Sequence, residues 1–451
     1  MSLLVLGLNH RTASVELREK LTIDAQGLSP ALEALASQVA PGVILSTCNR
    51  LEIYTLFNES SESRDSLGEL KRFVSSYSGV PQAAFEPYLY HYEEADCVRH
   101  LFRVASGLDS MVVGEWEILG QVRAAFSAAS SPDAGNGVTA RYVRGPLSRL
   151  FHQALRVGRR VHHQANLGSH SGDYRRRSVS HVGVRLVHRL LGDLSQKRVL
   201  LVGAGNAGQL AGRAMASAGA RNLVIANRTY SRAQELAAEL QGAAVPFEQI
   251  HHALSESDVV ISTTSSPDYL LTRSQVEQVM ADRPGRPLLM IDIAVPRDID
   301  PEAGLLEGVS LYDIDGLSTT SDAASVGMGP EIAMAEDLVA EETASLMEWW
   351  SSLDTISAIA TIREYAENVR RAEVEKTLSR MRNRLAAGSD LPEDEILEDM
   401  TAHLDALTSA LVKKLMHHPT MYLKEGNDPA RQDVIREMFN LDGTGERHGR
   451  R

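Results

Sequence analysis

Short runs of consecutive apolar residues predict the strands in the first part of the chain. Three such runs occupy residues 3–8, 43–45 and 53–57. Between the first two, apolar residues at helical spacing over residues 28–39 predict a helix. Residues 127–138 are rich in Ser, Gly, Asp and Asn and predict a loop. We therefore expect an α+β domain over residues 1–155.

From residue 198 onward, predicted strands alternate with predicted helices. The strand runs are at residues 199–202, 223–226, 259–261 and 288–291. Each is apolar throughout, which is typical of strands that are buried on both faces of a parallel sheet. The alternation with helices, such as the one predicted over residues 231–240, indicates a Rossmann-type α/β domain over residues 156–325.

Beyond residue 331 the pattern is helical, with apolar residues at three- and four-residue steps toward residue 385 and again over residues 396–415. A break at residues 388–392 separates the two stretches. A long helix with one apolar stripe must bury that stripe. Packing against a second copy would make residues 326–445 a dimerisation domain, and packing onto the Rossmann domain is the alternative.

Composition agrees with a large multidomain protein of 451 residues, 43% of them hydrophobic. No apolar run approaches the ~20 residues of a membrane span, and residues 1–8 predict a first strand instead of a signal peptide. Two cysteines cannot form a disulfide framework or a four-cysteine zinc site, and His100 has no metal-ligand spacing to another His or Cys. We expect a cytoplasmic protein without a metal or a membrane partner.

The net charge of −13 argues against general affinity for nucleic acids. Residues 141–177 are an exception, because they contain nine arginines and a single acidic residue, Asp173. This stretch is either a solvated helix face or a local anion-binding surface.

A glycine-rich motif follows the first Rossmann strand and precedes a helix. It consists of Gly203, Ala204, Gly205, Asn206, Ala207 and Gly208. This spacing in this context indicates a dinucleotide site, because the glycines allow a pyrophosphate to approach the backbone at the start of the helix.

Asn227 and Arg228 follow the second Rossmann strand, where an acidic residue would bind the ribose 2′-hydroxyl of NAD. A guanidinium at this position instead favours the 2′-phosphate of NADPH. The alternative for Arg228 is an exposed arginine at the start of a helix.

Cys48 lies at the end of a predicted strand among polar neighbours, which is unlike a buried core thiol. Arg50 could lower the pKa of this thiol and so favour the nucleophilic thiolate. Spacing alone leaves both a nucleophile and a structural thiol open. Cys97 lies in a predicted helix and has the pattern of a structural residue, and by pattern His100 is a packing histidine.

Several segments together resemble the glutamyl-tRNA reductase family. They are GLNHRTA at residues 7–13, LSTCNRLEIY at 45–54, GLDSMVVGE at 107–115, ILGQ at 118–121, the glycine-rich motif, ANRT at 226–229 and DIAVPR at 292–297. The resemblance runs from the first strand to the C-terminal helices. It implies an N-terminal catalytic domain, a Rossmann NADPH domain and a helical dimerisation domain.

The resemblance implies reduction of glutamyl-tRNA(Glu) to glutamate-1-semialdehyde by NADPH, with release of tRNA, in tetrapyrrole biosynthesis. The matching cysteine, Cys48, attacks the ester and forms a thioester, which accepts hydride more readily than an ester. His100 matches a histidine that is important for activity. The residues that match substrate-pocket positions are Thr47, Asn49, Arg50, Ser110, Glu115, Glu117 and Gln121, with Arg50 suited to a substrate carboxylate.

Two segments depart from the family pattern. Glu117 stands where a glutamine is usual, and residues 170–177 replace a short connector rich in Gly and Ala. The family further implies a homodimer and transfer of the aldehyde to glutamate-1-semialdehyde aminomutase. The alternatives are a reductase similar to shikimate dehydrogenase, which would leave Cys48 without a role, and a non-enzymatic tRNA-binding regulator.

Overall fold

The structure is a computed structural model that describes residues 2–57, 65–130, 143, 145–165, 178–321, 329–387 and 393–424. The chain divides into two compact units, Met1–Trp349 and Trp350–Arg451. The first unit contains two sheets and the second is helical. Residues 170–177 and the predicted break at 388–392 lie outside the described residues.

The elements of the first unit follow the predicted alternation. The strands are β1 (Ser2–Asn9), β2 (Gly42–Ser46), β3 (Arg50–Phe57), β4 (Tyr90–Glu93), β5 (Arg198–Val202), β6 (Asn222–Ala226), β7 (Ala243–Val245), β8 (Val259–Ser262), β9 (Leu288–Asp292) and β10 (Val309–Tyr312). The helices are α1 (Val15–Leu21), α2 (Leu28–Gln38), α3 (Ser66–Ser78), α4 (Gln82–Phe85), α5 (Glu94–Ala105), α6 (Glu117–Ser130), α7 (Pro146–Gln164), α8 (Val179–Leu191), α9 (Asn206–Ser217), α10 (Tyr230–Leu240), α11 (Ile250–Glu256), α12 (Arg273–Ala281) and α13 (Ile314–Ser321).

The first sheet is antiparallel, with the strand order β2-β3-β1-β4. Its three predicted strands are confirmed, because nearly every residue of β1, β2 and β3 is buried. Helices α5, α6 and α7 pack with this sheet and with one another. Strand β4 was missed because it is an edge strand whose sequence YHYE is largely exposed and has no apolar run.

The second sheet is parallel, with the order β10-β9-β8-β5-β6-β7. Counted from β5, this is the Rossmann order 3-2-1-4-5-6. Val199 and Leu201 pack into one core cluster, and Leu200 and Val202 pack into the cluster on the opposite face. Burial on both faces explains why the strand is apolar throughout and confirms the predicted Rossmann domain.

A long helix, α14 (Gly329–Ala387), leads from the first unit into the second, which also contains α15 (Glu393–Leu415) and α16 (His417–Lys424). Lys414 Nζ lies 2.7 Å from Glu373 Oε1, so α15 contacts α14. Large apolar side chains of this unit are nevertheless exposed, among them Leu404 at 53% and Val412 at 62%. The predicted apolar stripe is therefore incompletely covered in a single chain.

The loop predicted at residues 127–138 is wrong for residues 127–130, which complete α6, and residues 131–138 lie outside the described part. The segment is rich in Ser, Gly, Asp and Asn as a whole, but its first four residues belong to α6, which buries Phe126 and Ala129. The predicted boundary between the first domain and the Rossmann domain, at residues 155 and 156, falls inside α7, which is a continuous helix from Pro146 to Gln164. The domain limits given above stay predictions.

None of the helices in the described part of the chain combines the length and apolarity that a membrane span requires.

Gly158 tests the close packing of α7 on α5. An added Cβ would lie 2.4 Å from the Ala105 carbonyl oxygen and 2.8 Å from Leu119 Cδ1. We expect Gly158→Ala to destabilise the first unit by ~1–3 kcal/mol and to lower its melting temperature in calorimetry. Gly120→Ala is the matched control, because nothing lies within 4 Å of that Cβ, and it should be neutral or slightly stabilising. Equal melting temperatures for the two variants would contradict the packing.

Candidate active site

A cavity of about 200 Å³ lies between the antiparallel-sheet domain and the Rossmann domain. The first domain contributes Thr47, Cys48, Asn49, Arg50, Ser110, Glu115, Glu117, Ile118 and Gln121 to its wall. The Rossmann domain contributes Val179, Ser180, Ala207, Thr263, Thr264, Ile293, Ala294 and Val295. The cavity thus brings together Cys48, every residue predicted to bind substrate, and Ala207 of the glycine-rich motif.

Cys48 lies at the tip of the turn that joins β2 to β3. The Thr47 amide donates to the Arg50 carbonyl at 2.9 Å, and the Thr47 hydroxyl accepts from the Asn49 and Arg50 amides, each at 3.2 Å. These bonds close the turn and expose Cys48 at the end of the sheet. The half-buried Cys48 side chain packs against a core cluster that contains Met111 and Val112 of its own domain and many residues of the Rossmann domain.

The segment after α5 is shaped by two glycines with positive φ, Gly107 at +71° and Gly114 at +81°. The Gly114 amide donates to the Gly107 carbonyl at 3.0 Å, and a Cβ on Gly107 would lie 2.8 Å from the Glu115 carbonyl oxygen. Only glycine fits this close return of the chain. The return places Ser110 and Glu115 on the cavity wall.

Both Nη atoms of Arg50 are bound by acceptors of its own domain. Its Nη1 lies 2.7 Å from Glu52 Oε1 and 3.0 Å from Asp109 Oδ2, and its Nη2 donates to the Asp109 carbonyl at 2.6 Å. The side chain is buried. The expectation that Arg50 lowers the pKa of Cys48 is wrong, because that pKa is raised and Arg50 pairs with Glu52 and Asp109.

The pKa of Cys48 is instead raised, to about 12, by burial and by the charges of Glu115 and Glu117, while Arg18 opposes the shift. Burial and the Glu117 charge also raise the pKa of Glu115 to about 7. Burial raises the pKa of Glu117 as well. At neutral pH the Cys48 thiol is therefore protonated, and the pKa values of both Glu115 and Glu117 are raised above their usual range.

His100 does not line the cavity. Its Nε2 lies 2.8 Å from Glu52 Oε1, and its ring packs against those of Tyr90 and Tyr92. Glu52 also accepts from the hydroxyl groups of Tyr54 and Tyr90, each at 2.6 Å. Although burial disfavours its charge, Arg50 and His100 hold the pKa of Glu52 well below its usual range. His100 thus reaches the cavity only through Glu52 and Arg50.

The glycine-rich motif has the geometry that a pyrophosphate site needs. Gly203 has a φ of +103°, and a Cβ on Gly208 would lie 2.1 Å from the Gly203 carbonyl oxygen. These two glycines let α9 begin directly against β5. Nothing lies within 4 Å of a Cβ on Gly205, so its backbone faces open space where a phosphate group can approach.

A second cavity of about 380 Å³ adjoins this motif and is lined by Gly203, Gly205, Asn227, Arg228, Thr229 and Arg232, among others. The Asn227 side chain accepts from the Ala204 amide at 3.1 Å and donates to the Thr229 carbonyl at 2.9 Å. It therefore ties the glycine-rich motif to the next loop. Arg228 and Arg232 are exposed, and no described carboxylate lies within ion-pair distance of either.

The Rossmann side of the active-site cavity is held by Asp298, which was not singled out from the sequence. Its carboxylate accepts from the Ser262 hydroxyl at 2.6 Å and from the Thr264 amide and hydroxyl at 2.8 and 2.5 Å. Thr263 and Thr264 line both cavities. Asp298 thereby fixes the wall that the two cavities share.

Three family models match successive parts of the chain. Residues 6–165 match the glutamyl-tRNA(Glu) reductase N-terminal domain, residues 185–320 match shikimate/quinate 5-dehydrogenase, and residues 334–441 match the glutamyl-tRNA(Glu) reductase dimerisation domain. The glutamyl-tRNA reductase of Geobacter sulfurreducens is 38% identical over 98% of this chain and 96% of its own length. That of Thermodesulfovibrio yellowstonii is 37% identical over 99% and 100%.

The chain belongs to the glutamyl-tRNA reductase family. Among solved structures, the glutamyl-tRNA reductase from Methanopyrus kandleri is 29% identical, covers 98% of this chain and 99% of its own, and superposes with a TM-score of 0.42. Membership makes the protein an oxidoreductase with a Rossmann-like domain for a nicotinamide cofactor. The shikimate dehydrogenase match ends at residue 320 and includes neither Cys48 nor the helical unit.

Several arginines of the arginine-rich stretch at residues 141–177 bind partners within the chain. Arg156 and Arg160 of α7 form ion pairs of 2.9 and 2.7 Å with Glu342 of α14. Arg149 lies 4.0 Å from the ring centre of Trp349. These arginines brace α7 against α14. Arg141, Arg144, Arg175, Arg176 and Arg177 lie outside the described residues.

Sequence reasoning missed Arg232 on the cofactor side of this reductase fold. It lies four residues after Arg228, and both side chains line the second cavity. A second arginine this close to Arg228 in the sequence is a signal that could have identified it. Thr263, Thr264 and Asp298 offered no comparable signal, since they converge only through the pairing of β8 with β9.

Cys48 alkylation tests the electrostatics of the cavity. We expect iodoacetamide to modify Cys48 slowly at pH 8, because its raised pKa leaves little thiolate, and the rate to rise with pH up to about pH 12. Glu115→Gln should accelerate the reaction, about tenfold for each unit by which the thiol pKa falls. Mass spectrometry distinguishes Cys48 from buried Cys97, the internal control. Rapid modification of Cys48 at neutral pH would contradict the raised pKa.

Proposed function

We propose that the protein reduces glutamyl-tRNA(Glu) to glutamate-1-semialdehyde, with NADPH as hydride donor and release of free tRNA. One observation carries the proposal: Cys48 and Ala207 line the same cavity. A nucleophile and a cofactor motif from two domains therefore meet over one volume of about 200 Å³. Such a site suits an acyl group that is bound covalently at one wall and reduced from the other.

The first step in this proposal is acyl transfer to Cys48. The sulfur attacks the ester carbonyl carbon, the carbon–oxygen bond to the tRNA ribose breaks, and the ribose oxygen leaves with a proton. A thioester of Cys48 remains. Thiolate is a better leaving group than alkoxide, so the thioester accepts hydride and then releases the aldehyde more readily than the ester would.

The raised pKa of Cys48 means that this step needs a proton acceptor. Glu115 lines the same cavity and has a pKa of about 7, so at neutral pH it can take the thiol proton and later return it. Glu117 lies within charge-interaction range of both groups. We assign Glu115 as the base, and Glu117, with its carboxylate in place of the usual amide, as a partner for the substrate α-ammonium group.

The remaining cavity residues would orient the glutamyl group. Thr47 and Asn49 hold the cysteine turn, and Ser110 and Gln121 line the wall beside it. Arg50 has Nε as its remaining unpaired donor, since its other nitrogens bind Glu52 and Asp109. His100 then serves as an orienting residue, because it holds Glu52 and Glu52 holds Arg50.

The cofactor residues fit NADPH better than NADH. The open space at Gly205 suits the pyrophosphate, and the unpaired guanidinium groups of Arg228 and Arg232 suit a 2′-phosphate. When bound, NADPH supplies the hydride that reduces the thioester. Thr263 and Thr264 would hold the cofactor side of the active-site cavity, since they line both cavities.

Further assignments rest on the family. The incomplete cover of Leu404 and Val412 and the dimerisation-domain match support a homodimer. The reactive aldehyde product favours direct transfer to glutamate-1-semialdehyde aminomutase, in tetrapyrrole biosynthesis and in the cytoplasm. A shikimate-type reductase remains the second candidate for the Rossmann domain alone, supported by the match of residues 185–320.

The proposed substrate is tested by NADPH oxidation with four compounds: glutamyl-tRNA, uncharged tRNA, free glutamate and shikimate. We expect oxidation with glutamyl-tRNA alone, and its loss in Cys48→Ser, because a hydroxyl is far less acidic than a thiol. Cys97→Ser is the matched control and should retain most activity, since Cys97 is buried in α5. Oxidation with shikimate, or full activity of Cys48→Ser, would overturn the proposal.

The choice of cofactor is tested with Arg228→Asp. The substitution replaces a phosphate partner with a repelling carboxylate, so the affinity for NADPH should fall by roughly tenfold to a hundredfold, or ~1.5–3 kcal/mol. The affinity for NADH should change little. Fluorescence titration of the two cofactors measures both values. Equal losses for NADPH and NADH would show that Arg228 does not contact the 2′-phosphate.

A further inference from the structure

Helix α1 of the antiparallel-sheet domain is bound to the Rossmann domain by two arginines. Arg18, on α1, forms an ion pair with Asp315 of α13, and the Val15 amide donates to the same carboxylate at 2.8 Å. In the second group the arginine belongs to the Rossmann domain: Arg297 binds two glutamates of α1, Glu16 and Glu19. These two reciprocal ion-pair groups form the α1 latch.

The Arg297 half of the latch has several bonds. The Arg297 amide donates to Glu19 Oε2 at 3.0 Å, and its side chain donates to Glu19 Oε1 at 2.9 Å and to Glu16 Oε1 at 2.9 Å. Arg297 directly follows the segment whose residues Ile293, Ala294 and Val295 line the active-site cavity. This half therefore fixes the cofactor-side wall relative to α1.

The Arg18 half reaches the cysteine itself. Besides Asp315, Arg18 Nη1 donates to the Cys48 carbonyl at 2.6 Å and to Asn49 Oδ1 at 3.2 Å. One guanidinium thus holds the turn that carries Cys48 and a carboxylate of the Rossmann domain. Because both contacts come from one rigid planar group, the turn is held at a set distance from the Rossmann domain.

Burial of the latch is uneven. The Arg18 and Arg297 side chains are 2% and 7% exposed, whereas those of Asp315 and Glu16 are 31% and 56% exposed. Both guanidinium groups are thus buried beside their carboxylate partners, and separation of the domains would break these ion pairs. The latch therefore favours the closed arrangement in which Cys48 faces the cofactor wall.

We propose that Arg18, together with Asp315 and the Arg297 contacts to Glu16 and Glu19, positions Cys48 for hydride transfer. Arg18 is a positioning residue, since it acts through the Cys48 turn. The inference rests on the proposed function and deepens it. The latch matters for reduction of the thioester, which needs both walls of the cavity, and not for its formation, in which every assigned group belongs to the first domain.

Because the latch affects reduction of the thioester and not its formation, its loss should change the ratio of aldehyde to glutamate. Without NADPH, water can attack the thioester, and the enzyme then hydrolyses glutamyl-tRNA to glutamate and tRNA. With NADPH, reduction and hydrolysis compete for the same thioester. A weakened latch should leave the formation rate of the Cys48 adduct unchanged and lower the aldehyde-to-glutamate ratio.

The test uses Asp315→Asn and Glu19→Gln in the full-length enzyme, each of which removes a carboxylate charge at similar side-chain size. We expect the rate of adduct formation without NADPH to stay within about twofold, and the aldehyde-to-glutamate ratio with NADPH to fall about tenfold to a hundredfold. Glu302→Gln is the matched control, because it breaks the 3.3 Å ion pair with Arg273 inside the Rossmann domain and should change neither quantity.

Two further measurements separate positioning from damage to the fold. The double variant Glu19→Arg with Arg297→Glu reverses the charge pair and should recover part of the ratio that Glu19→Arg alone loses. Amide hydrogen exchange of Val15 and Arg297, whose N–H groups donate across the domain interface, should accelerate in Asp315→Asn and Glu19→Gln, respectively, without any substrate or cofactor present.

The outcomes are distinct. Absence of an adduct in the unmodified enzyme would sink the proposed function, while the exchange measurement would still decide whether the latch docks the domains. A normal adduct with an unchanged product ratio in both variants would overturn the latch and leave the proposed function standing. Unchanged exchange at Val15 and Arg297 would overturn the latch independently of catalysis.

Discussion

The chemistry proposed for this protein requires a thiol and a hydride donor to share one small volume, and this requirement constrains both domains. Cys48 lies on a turn at the end of an antiparallel sheet, and the residues opposite it follow the carboxyl ends of parallel strands β8 and β9. Ligands of open α/β sheets bind at those ends. The antiparallel sheet must therefore present its turn to the carboxyl edge of the Rossmann sheet, and the remaining features of the site follow from that arrangement.

Burial of this interface makes every charge in it expensive unless it is paired. Arg50, Glu52 and Asp109 meet this demand together, and Tyr54, Tyr90 and His100 supply further contacts to Glu52. Glu52 and Asp109 are each paired with Arg50 in this network. Arg50, two residues from Cys48 in the sequence, is already paired within this network, and burial together with the charges of Glu115 and Glu117 raises the pKa of the thiol.

Much of this arrangement could be predicted from local sequence, because apolar runs and glycine spacing are local signals. The strands β1, β5 and β9 and the glycine-rich motif were predicted from a few adjacent residues each. The pairing of Arg50 with Glu52 and Asp109 could not be predicted in this way, because Arg50 and Asp109 are 59 positions apart in the sequence. The same holds for Arg18 and Asp315, whose meeting depends on the docking of two domains. Charge signs and motif positions were predictable, whereas the partner of each charge was not.

The central claim is that one cavity both forms and consumes a thioester on Cys48. The most direct measurement incubates the enzyme with glutamyl-tRNA in the absence of NADPH, stops the reaction in acid and determines the protein mass and the modified residue. Addition of NADPH to a parallel sample before the acid follows the fate of the adduct. The account predicts a glutamyl group on Cys48 that disappears as glutamate-1-semialdehyde forms. An adduct on Cys97, no adduct at all, or an adduct on Cys48 that NADPH does not discharge would contradict it.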